Sequence, residues 1–404
     1  MKNDFLHELE QRGMMFQASD LDGLADWLNG GGRTGYLGVD PTADSFHVGH
    51  LVPVMIMRWF QRYGHRPIML VGGATGRIGD PSGRDTSRLL LTEDDVDKNR
   101  AGLRKCYEQF IRFGNGASDA IMVDNYDWHK NFSHLDFLRE FGTSFTIPKM
   151  LAMESVKKRL ENDMSFLEFN YMPLQAVDFL ELFDEYDCRL QLCGADQWGN
   201  SVAGISLIRR KRQAESFVLS TPLITDSSGN KIGKTAGNAV WVGADKLSPF
   251  DYYQYFRNIP DDLVEKFLKI FTELPMDEIA RLAGLRDAEL NEAKKILAFE
   301  AAKIAHGERA AADAADAAAS LFGGGAADGN IPSMKIKAEL PMPALDFAML
   351  TGLFSSKSEA RRAIGQGGLS IGGLRVAGAE AVVLPARELL VQKGKKTFLK
   401  VIVK

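Results

Sequence analysis

Short apolar runs alternate with helix-length amphipathic stretches through the first third of the chain, and this constrains the fold most. Gly35-Tyr36-Leu37-Gly38-Val39 is an apolar run ending at Asp40-Pro41, which reads as a strand entering a loop. Residues 49–63 then form an amphipathic stretch closed by Gly64, with Pro53 near the first turn, where a missing N–H is least costly. Pro67 to Val71 is a second buried-strand candidate, followed by Gly72-Gly73-Ala74-Thr75-Gly76, and Ala120 to Val123 is a third. Strand–helix–strand at this spacing predicts an α/β fold with a parallel sheet and right-handed crossovers.

The chain has 404 residues, enough for two or three domains. Ser133 to Asn162 reads as helical and interrupts the alternation, an insertion between two halves of the sheet. Helical sequence returns at Phe166–Phe183, a strand at Arg189–Leu192, a helix at Asn200–Lys211, and a strand at Phe217–Thr225 opening into a polar turn. From Pro249 to Phe322 the pattern is helical throughout. The glycines from Gly323 to Gly329 mark a linker, and Pro341 to Lys404 shows short helices and then β-rich sequence.

Charge is unevenly spread. The net charge is −4, yet residues 331–404 carry 12 Lys/Arg against 5 Asp/Glu. A basic module on an acidic body suits a polyanion, although surface solubility accounts for the same charges. Cys106, Cys188 and Cys193 are too few and too irregular for a disulfide framework or a zinc knuckle, and reduced buried thiols are the expectation. The N-terminal residues show no apolar signal region, and Leu51–Met57 falls far short of a membrane span. A cytoplasmic protein without membrane contact is expected.

Three constellations carry chemistry. His47-Val48-Gly49-His50 lies between the first strand and its helix, where open α/β sheets bind ligands. Two imidazoles three residues apart at a helix N-terminus can face one anion, and Gly49 lets a nucleotide approach the backbone. Lys231-Ile232-Gly233-Lys234-Thr235 follows the last strand, and its lysines suit phosphate charge; alone it would read as a solvated basic turn. Tyr171, Gln175 and Asp178 share one face of a helix, either a polar face in water or a binding face.

The first two elements resemble the HIGH and KMSKS signatures of class I aminoacyl-tRNA synthetases. Tyr171-Met-Pro-Leu-Gln175-Ala-Val-Asp178 is similar to the tyrosine-pocket helix of bacterial tyrosyl-tRNA synthetases. So are the segments 36–45, 72–83 (Gly72 to Gly83) and 194–200 (Gly194 to Asn200), in order along nearly the whole chain. The resemblance implies a Rossmann-like catalytic domain over residues 1–245, with a helical insertion and dimer interface at about 130–165. It also implies an all-α anticodon-binding domain over 246–322, a flexible linker over 323–340, and a small α+β RNA-binding domain over 341–404.

It further implies roles. Tyr36 and Asp178 would bind a substrate phenol, and Tyr171, Asp80 and Gln175 its ammonium group. Gly38, Asp40, Gly194, Asp196 and Gln197 would line the side holding tyrosine carboxylate and ribose. Thr42, His47 and His50 would meet the phosphates of ATP, which would arrive with Mg2+ rather than with a protein-bound metal. Arg84 and Arg88 would join Lys231, Lys234 and Thr235 around pyrophosphate. Leu37 and Pro53 depart from familiar relatives on the nucleotide side.

The segment from Ser356 to Leu369, with Lys357, Arg361 and Arg362 on one helix face, resembles a small RNA-binding module shared with a ribosomal protein. Partners implied are L-tyrosine, ATP, tyrosine tRNA and a second copy of the chain. A tryptophanyl-type sister enzyme, a small nucleotidyltransferase and a non-catalytic RNA-binding relative are the rival readings. Tyr36 with Asp178, the Lys231–Lys234 loop and the intact motifs respectively count against them.

Overall fold

The computed structural model describes residues 2–82, 91–225, 232, 234–235, 238–323, 333–338, 340–394 and 397–403. The chain forms two compact units, one of Met1–Leu247 with Ile259–Ala305, the other of Ser248–Asn258 with His306–Lys404. The helical segment expected over 246–322 is thus divided between them.

The first unit is built on a six-stranded sheet of β1 (Gln17–Ala18), β2 (Thr34–Val39), β3 (Arg66–Val71), β4 (Ile121–Asp124), β5 (Cys188–Gly194) and β6 (Phe217–Thr221). The order is β1-β6-β5-β2-β3-β4, with β2 to β6 mutually parallel and β1 antiparallel at the edge. Chain order therefore reverses between β2 and β5, and a crevice opens beyond their carboxyl ends. Residues Pro67–Val71 of β3 are all buried, which is why that strand reads as an unbroken apolar run.

Helix Leu51–Arg62 follows β2 and buries residues on nearly every side, Leu51, Met55, Trp59 and Phe60 among them. Helix Glu93–Phe110 provides the crossover from β3 to β4. Thr92 caps it in a capping box with Asp95, and Glu93, Asp94 and Asp95 suit the positive end of its dipole. Helices Tyr171–Tyr186 and Trp198–Arg212 pack on each other and on β5, around Val177, Phe179, Ile205 and Ile208. Between β4 and β5, the expected insertion consists of short helices, His134–Phe141, Ile147–Leu151 and Glu154–Leu160. Beyond β6, β7 (Lys234–Thr235) and β8 (Asn238–Ala239) pair antiparallel.

In the second unit, helix Pro249–Arg257 packs against helix Glu308–Gly323. Seven further strands follow: β9 (Ser333–Ile336), β10 (Met342–Pro343), β11 (Leu369–Ile371), β12 (Leu374–Arg375), β13 (Val382–Val383), β14 (Glu388–Lys393) and β15 (Thr397–Val403). Five of these form a sheet ordered β12-β11-β14-β15-β9, while β10 pairs with β13. Helices Ala344–Leu350 and Lys357–Gly365 share a core with the strands around Phe347, Ile364, Leu369 and Val401. One correction concerns the expected linker over 323–340. Ser333–Ile336 lies inside it but pairs parallel with β15, so this piece belongs to the folded module. Among the described residues, no helix is long and apolar enough to cross a membrane.

Candidate active site

A cleft of about 270 Å3 opens at the reversal point of the sheet, lined from β2 and β5 by Tyr36, Gly38, Asp40, Gln191 and Gly194. Asp178 closes its inner end. This aspartate is 1% exposed, and its carboxylate accepts from Asn125 Nδ2 (2.9 Å), Trp128 Nε1 (2.9 Å) and His129 Nε2 (2.8 Å). The Tyr36 hydroxyl is buried and has no hydrogen-bond partner among the described residues. Burial, reinforced by the charge of Asp178, raises the Tyr36 phenol well above the usual tyrosine range, so it stays a neutral donor. A buried hydroxyl in the lining of the cleft is placed to pair with a polar group of a ligand.

A hydrogen-bond network continues from Asp178 toward Asp40. Asp40 accepts from Thr75 Oγ1 (2.8 Å) and from the Tyr171 hydroxyl (2.9 Å). Asn125 Nδ2 also reaches Thr75 Oγ1 (2.9 Å), which links Asp40 to Asp178 through two side chains. Gly72 is required here, because any Cβ would collide with Asp40 Oδ1 and Thr75 Oγ1. Asp80 takes the Gln197 amide (2.5 Å) and the Ser82 N–H (2.9 Å). Asn200 donates to Gln175 Oε1 (3.1 Å) and to Gln197 Oε1 (3.3 Å).

The histidine motif forms a 3-10 turn, Val48–His50, at the entrance to helix Leu51–Arg62. The His47 and His50 rings lie 3.8 Å apart between centroids. Gly49 N–H donates to His47 Nδ1 (3.1 Å), and His47 N–H to His50 Nδ1 (3.4 Å). An Nδ1 that accepts carries no proton, so each neutral ring holds its proton on Nε2, the atom suited to donate to an anion. A Cβ at Gly49 would sit 2.9 Å from the Ile232 carbonyl oxygen, so Ile232 lies against the histidine turn. Pairing of Val48 N–H with Val240 O (2.9 Å) and Val242 N–H with Phe46 O (2.9 Å) ties the segment just beyond β8 to the same turn.

Residues 32–323 match the family described as tRNA synthetases class I (W and Y). A tyrosine–tRNA ligase of Clostridium beijerinckii is 46% identical, with 99% of each chain covered. That of Zymomonas mobilis is 48% identical over 98% of this chain and 97% of its own. The chain belongs to the class I tRNA synthetases, in the tyrosine branch. Among solved structures, a C-terminally truncated Aspergillus nidulans mitochondrial tyrosyl-tRNA synthetase superposes with a TM-score of 0.71. It is 32% identical, and the match covers 79% of this chain and 94% of that one.

The cleft brings together Tyr36, Gly38, Asp40, Thr42, Gly49, His50, Asp80, Tyr171, Gln175, Asp178, Gly194, Asp196 and Gln197. His47 lies against His50, their ring centroids 3.8 Å apart. Arg84, Arg88 and Lys231 lie outside the described residues, as do the side chains of Lys234 and Thr235, whose backbone forms β7. In the second unit, Arg361 and Arg362 are exposed, whereas Lys357 is paired with Asp346 (2.9 Å). Sequence reasoning missed Thr75, Asn125, Trp128, His129 and Asn200. The polar run Asn125 to His129 just past the carboxyl end of β4 was the available signal, since ligand-side residues gather at such ends. Groups of three or more His, Cys, Asp or Glu able to hold a metal are absent among the described residues.

Proposed function

We propose that this chain binds L-tyrosine with its phenol between Tyr36 and Asp178 and joins it to AMP. The tyrosine carboxylate attacks the α-phosphorus of ATP and pyrophosphate leaves. The terminal ribose hydroxyl of tyrosine tRNA then attacks the adenylate carbonyl, releasing AMP and leaving tyrosyl-tRNA. The orphaned Tyr36 hydroxyl beside a carboxylate already held by three donors carries this reading. A ligand hydroxyl at that depth satisfies both groups. Phenylalanine leaves them unpaired, and buried unpaired polar groups discriminate far better than a missing methylene does.

Tyr171, Asp80 and Gln175 hold the ammonium group, with Gln197 fixing Asp80. Gly38, Asp40, Gly194 and Asp196 meet the carboxylate and ribose. Thr42, His47 and His50 donate to phosphate oxygens as negative charge grows there, and Lys231, Lys234, Thr235, Arg84 and Arg88 gather the departing pyrophosphate. Mg2+ enters on ATP as part of that substrate. The enzyme works in the cytoplasm as a homodimer. Leu135 and Ile147 in the insertion are 75% and 56% exposed, and Phe166 just beyond it 74%, apolar area that a second copy would cover.

Tyrosine-dependent ATP–pyrophosphate exchange, compared with tryptophan and phenylalanine, tests the reading. Exchange with tyrosine far above both is expected, and its absence overturns the proposal.

A further inference from the structure

The three donors to Asp178 come from one stretch of five residues. Asn125 lies just beyond β4, and Trp128 and His129 close the short helix Tyr126–His129. Trp128 Nε1 and His129 Nε2 both meet Oδ1, whereas Asn125 alone meets Oδ2. A carboxylate offers about four acceptor positions. Both positions on Oδ1 are taken, and one remains on Oδ2. The imidazole nitrogen facing a carboxylate carries its proton, so His129 acts as the donor in this contact. Its side chain is 6% exposed and packs beside Trp128 and Phe137, with centroids 6.3 and 6.4 Å away. Phe137 belongs to the insertion helix His134–Phe141.

We propose that His129 is a positioning residue for phenol recognition: by filling the second acceptor position on Asp178 Oδ1, it leaves Oδ2 as the acceptor for the substrate hydroxyl. This rests on the tyrosine reading above. Without His129, Oδ1 has an open position, the carboxylate has two equivalent ways to meet a phenol, and one buried lone pair lacks a donor whenever the other oxygen is used. Asn125 cannot compensate, because its amide is committed to Thr75 as well. His129 therefore acts through the phenol contact alone, and a substrate without that oxygen does not register it.

The test uses the full-length protein. His129→Phe keeps the ring and removes the donor; His129→Gln restores an N–H at similar reach. ATP–pyrophosphate exchange is measured with tyrosine and with phenylalanine. In His129→Phe, kcat/KM for tyrosine should fall about tenfold, the scale of one hydrogen bond to a charged group. The loss should sit in KM, phenylalanine should change less than about twofold, and His129→Gln should recover most of the loss. Equal losses for both amino acids, an unchanged tyrosine value, or no recovery in His129→Gln would each overturn the proposal. Should His129→Phe not fold, His129→Asn takes its place, since its amide is too short to reach Oδ1. The same selective loss is then expected, and a uniform one overturns the idea. Wild-type protein without tyrosine-dependent exchange would instead remove the underlying reading.

Discussion

At the scale of single residues, the two groups proposed to meet the phenol, Tyr36 and Asp178, are asymmetric in what they contribute to the protein by itself. Tyr36 Oη contributes no hydrogen bond within the described residues, whereas Asp178 anchors three. Tyr36→Phe removes only an unsatisfied hydroxyl, so the melting temperature should hold or rise slightly. Its tyrosine KM should still rise about five- to tenfold, the scale of one neutral hydrogen bond. Thermal melts and exchange kinetics on one preparation check both halves, and a large drop in stability would show that Tyr36 has a partner in solution. Asp178→Asn behaves differently, because its amide NH2 must face one of three donors. Stability and tyrosine recognition should fall together. The phosphate side has its own signature: His47→Ala should lower kcat by about 10²-fold, since the contact forms in the transition state, with little change in KM. Unchanged kcat with raised KM would count against that role.

Elements explain how much of this was legible in the chain. Parallel strands buried on both faces produce continuous apolar runs, so β2, β3 and β6 stood out, and the histidine motif was placed correctly after β2. Helix Glu93–Phe110 did not stand out, because it buries only Val96, Leu103, Cys106, Tyr107 and Phe110 in a strongly polar stretch. Strands β1 and β9 are two and four residues long and are defined by partners near residue 220 and residue 400. The donors to Asp178 are some fifty residues from it in sequence, and no local pattern encodes such a contact. Gly49 was read as room for a nucleotide; the structure adds that it makes room for the Ile232 carbonyl. Gly49→Ala should therefore displace the lysine loop, lowering kcat in pyrophosphate exchange at least tenfold while tyrosine KM stays within about twofold. A matched rise in tyrosine KM would contradict this. The last turn of helix Val264–Phe271 gives a purely structural counterpart. Arg12 is 2% exposed, and its guanidinium donates to the carbonyls of Lys269 (2.9 Å), Thr272 (3.0 Å) and Leu274 (2.8 Å). A cation at a helix C-terminus also favours the dipole. Arg12→Met should cost about 3 kcal/mol by leaving buried carbonyls without a donor. Urea unfolding measures it.

For the whole molecule, charge is divided unevenly along the chain. Residues 331–404 carry 12 Lys/Arg against 5 Asp/Glu, while the remaining residues hold 37 against 48. An acidic body repels a polyanion, so affinity for tRNA should draw on the basic module, with counterion release as its main source. On helix Lys357–Gly365, Ser356 caps the N-terminus, Lys357 faces Asp346 in a surface ion pair, and Arg361 and Arg362 present their charge to solvent. The arginines should therefore matter more than the lysine. Replacing both Arg361 and Arg362 with Ala should raise the KM for tRNA and reduce the slope of log affinity against log salt by about 1.5, nearly one unit per lost phosphate contact. Lys357→Ala should change that slope by less than half as much. Tyrosine-dependent pyrophosphate exchange needs no tRNA and draws on residues of the other unit, so it should be unaffected in both variants. Salt titrations of tRNA binding beside exchange assays separate the two activities. A fall in exchange would mean that these arginines support the catalytic unit, and an unchanged salt slope would mean that the RNA is held elsewhere.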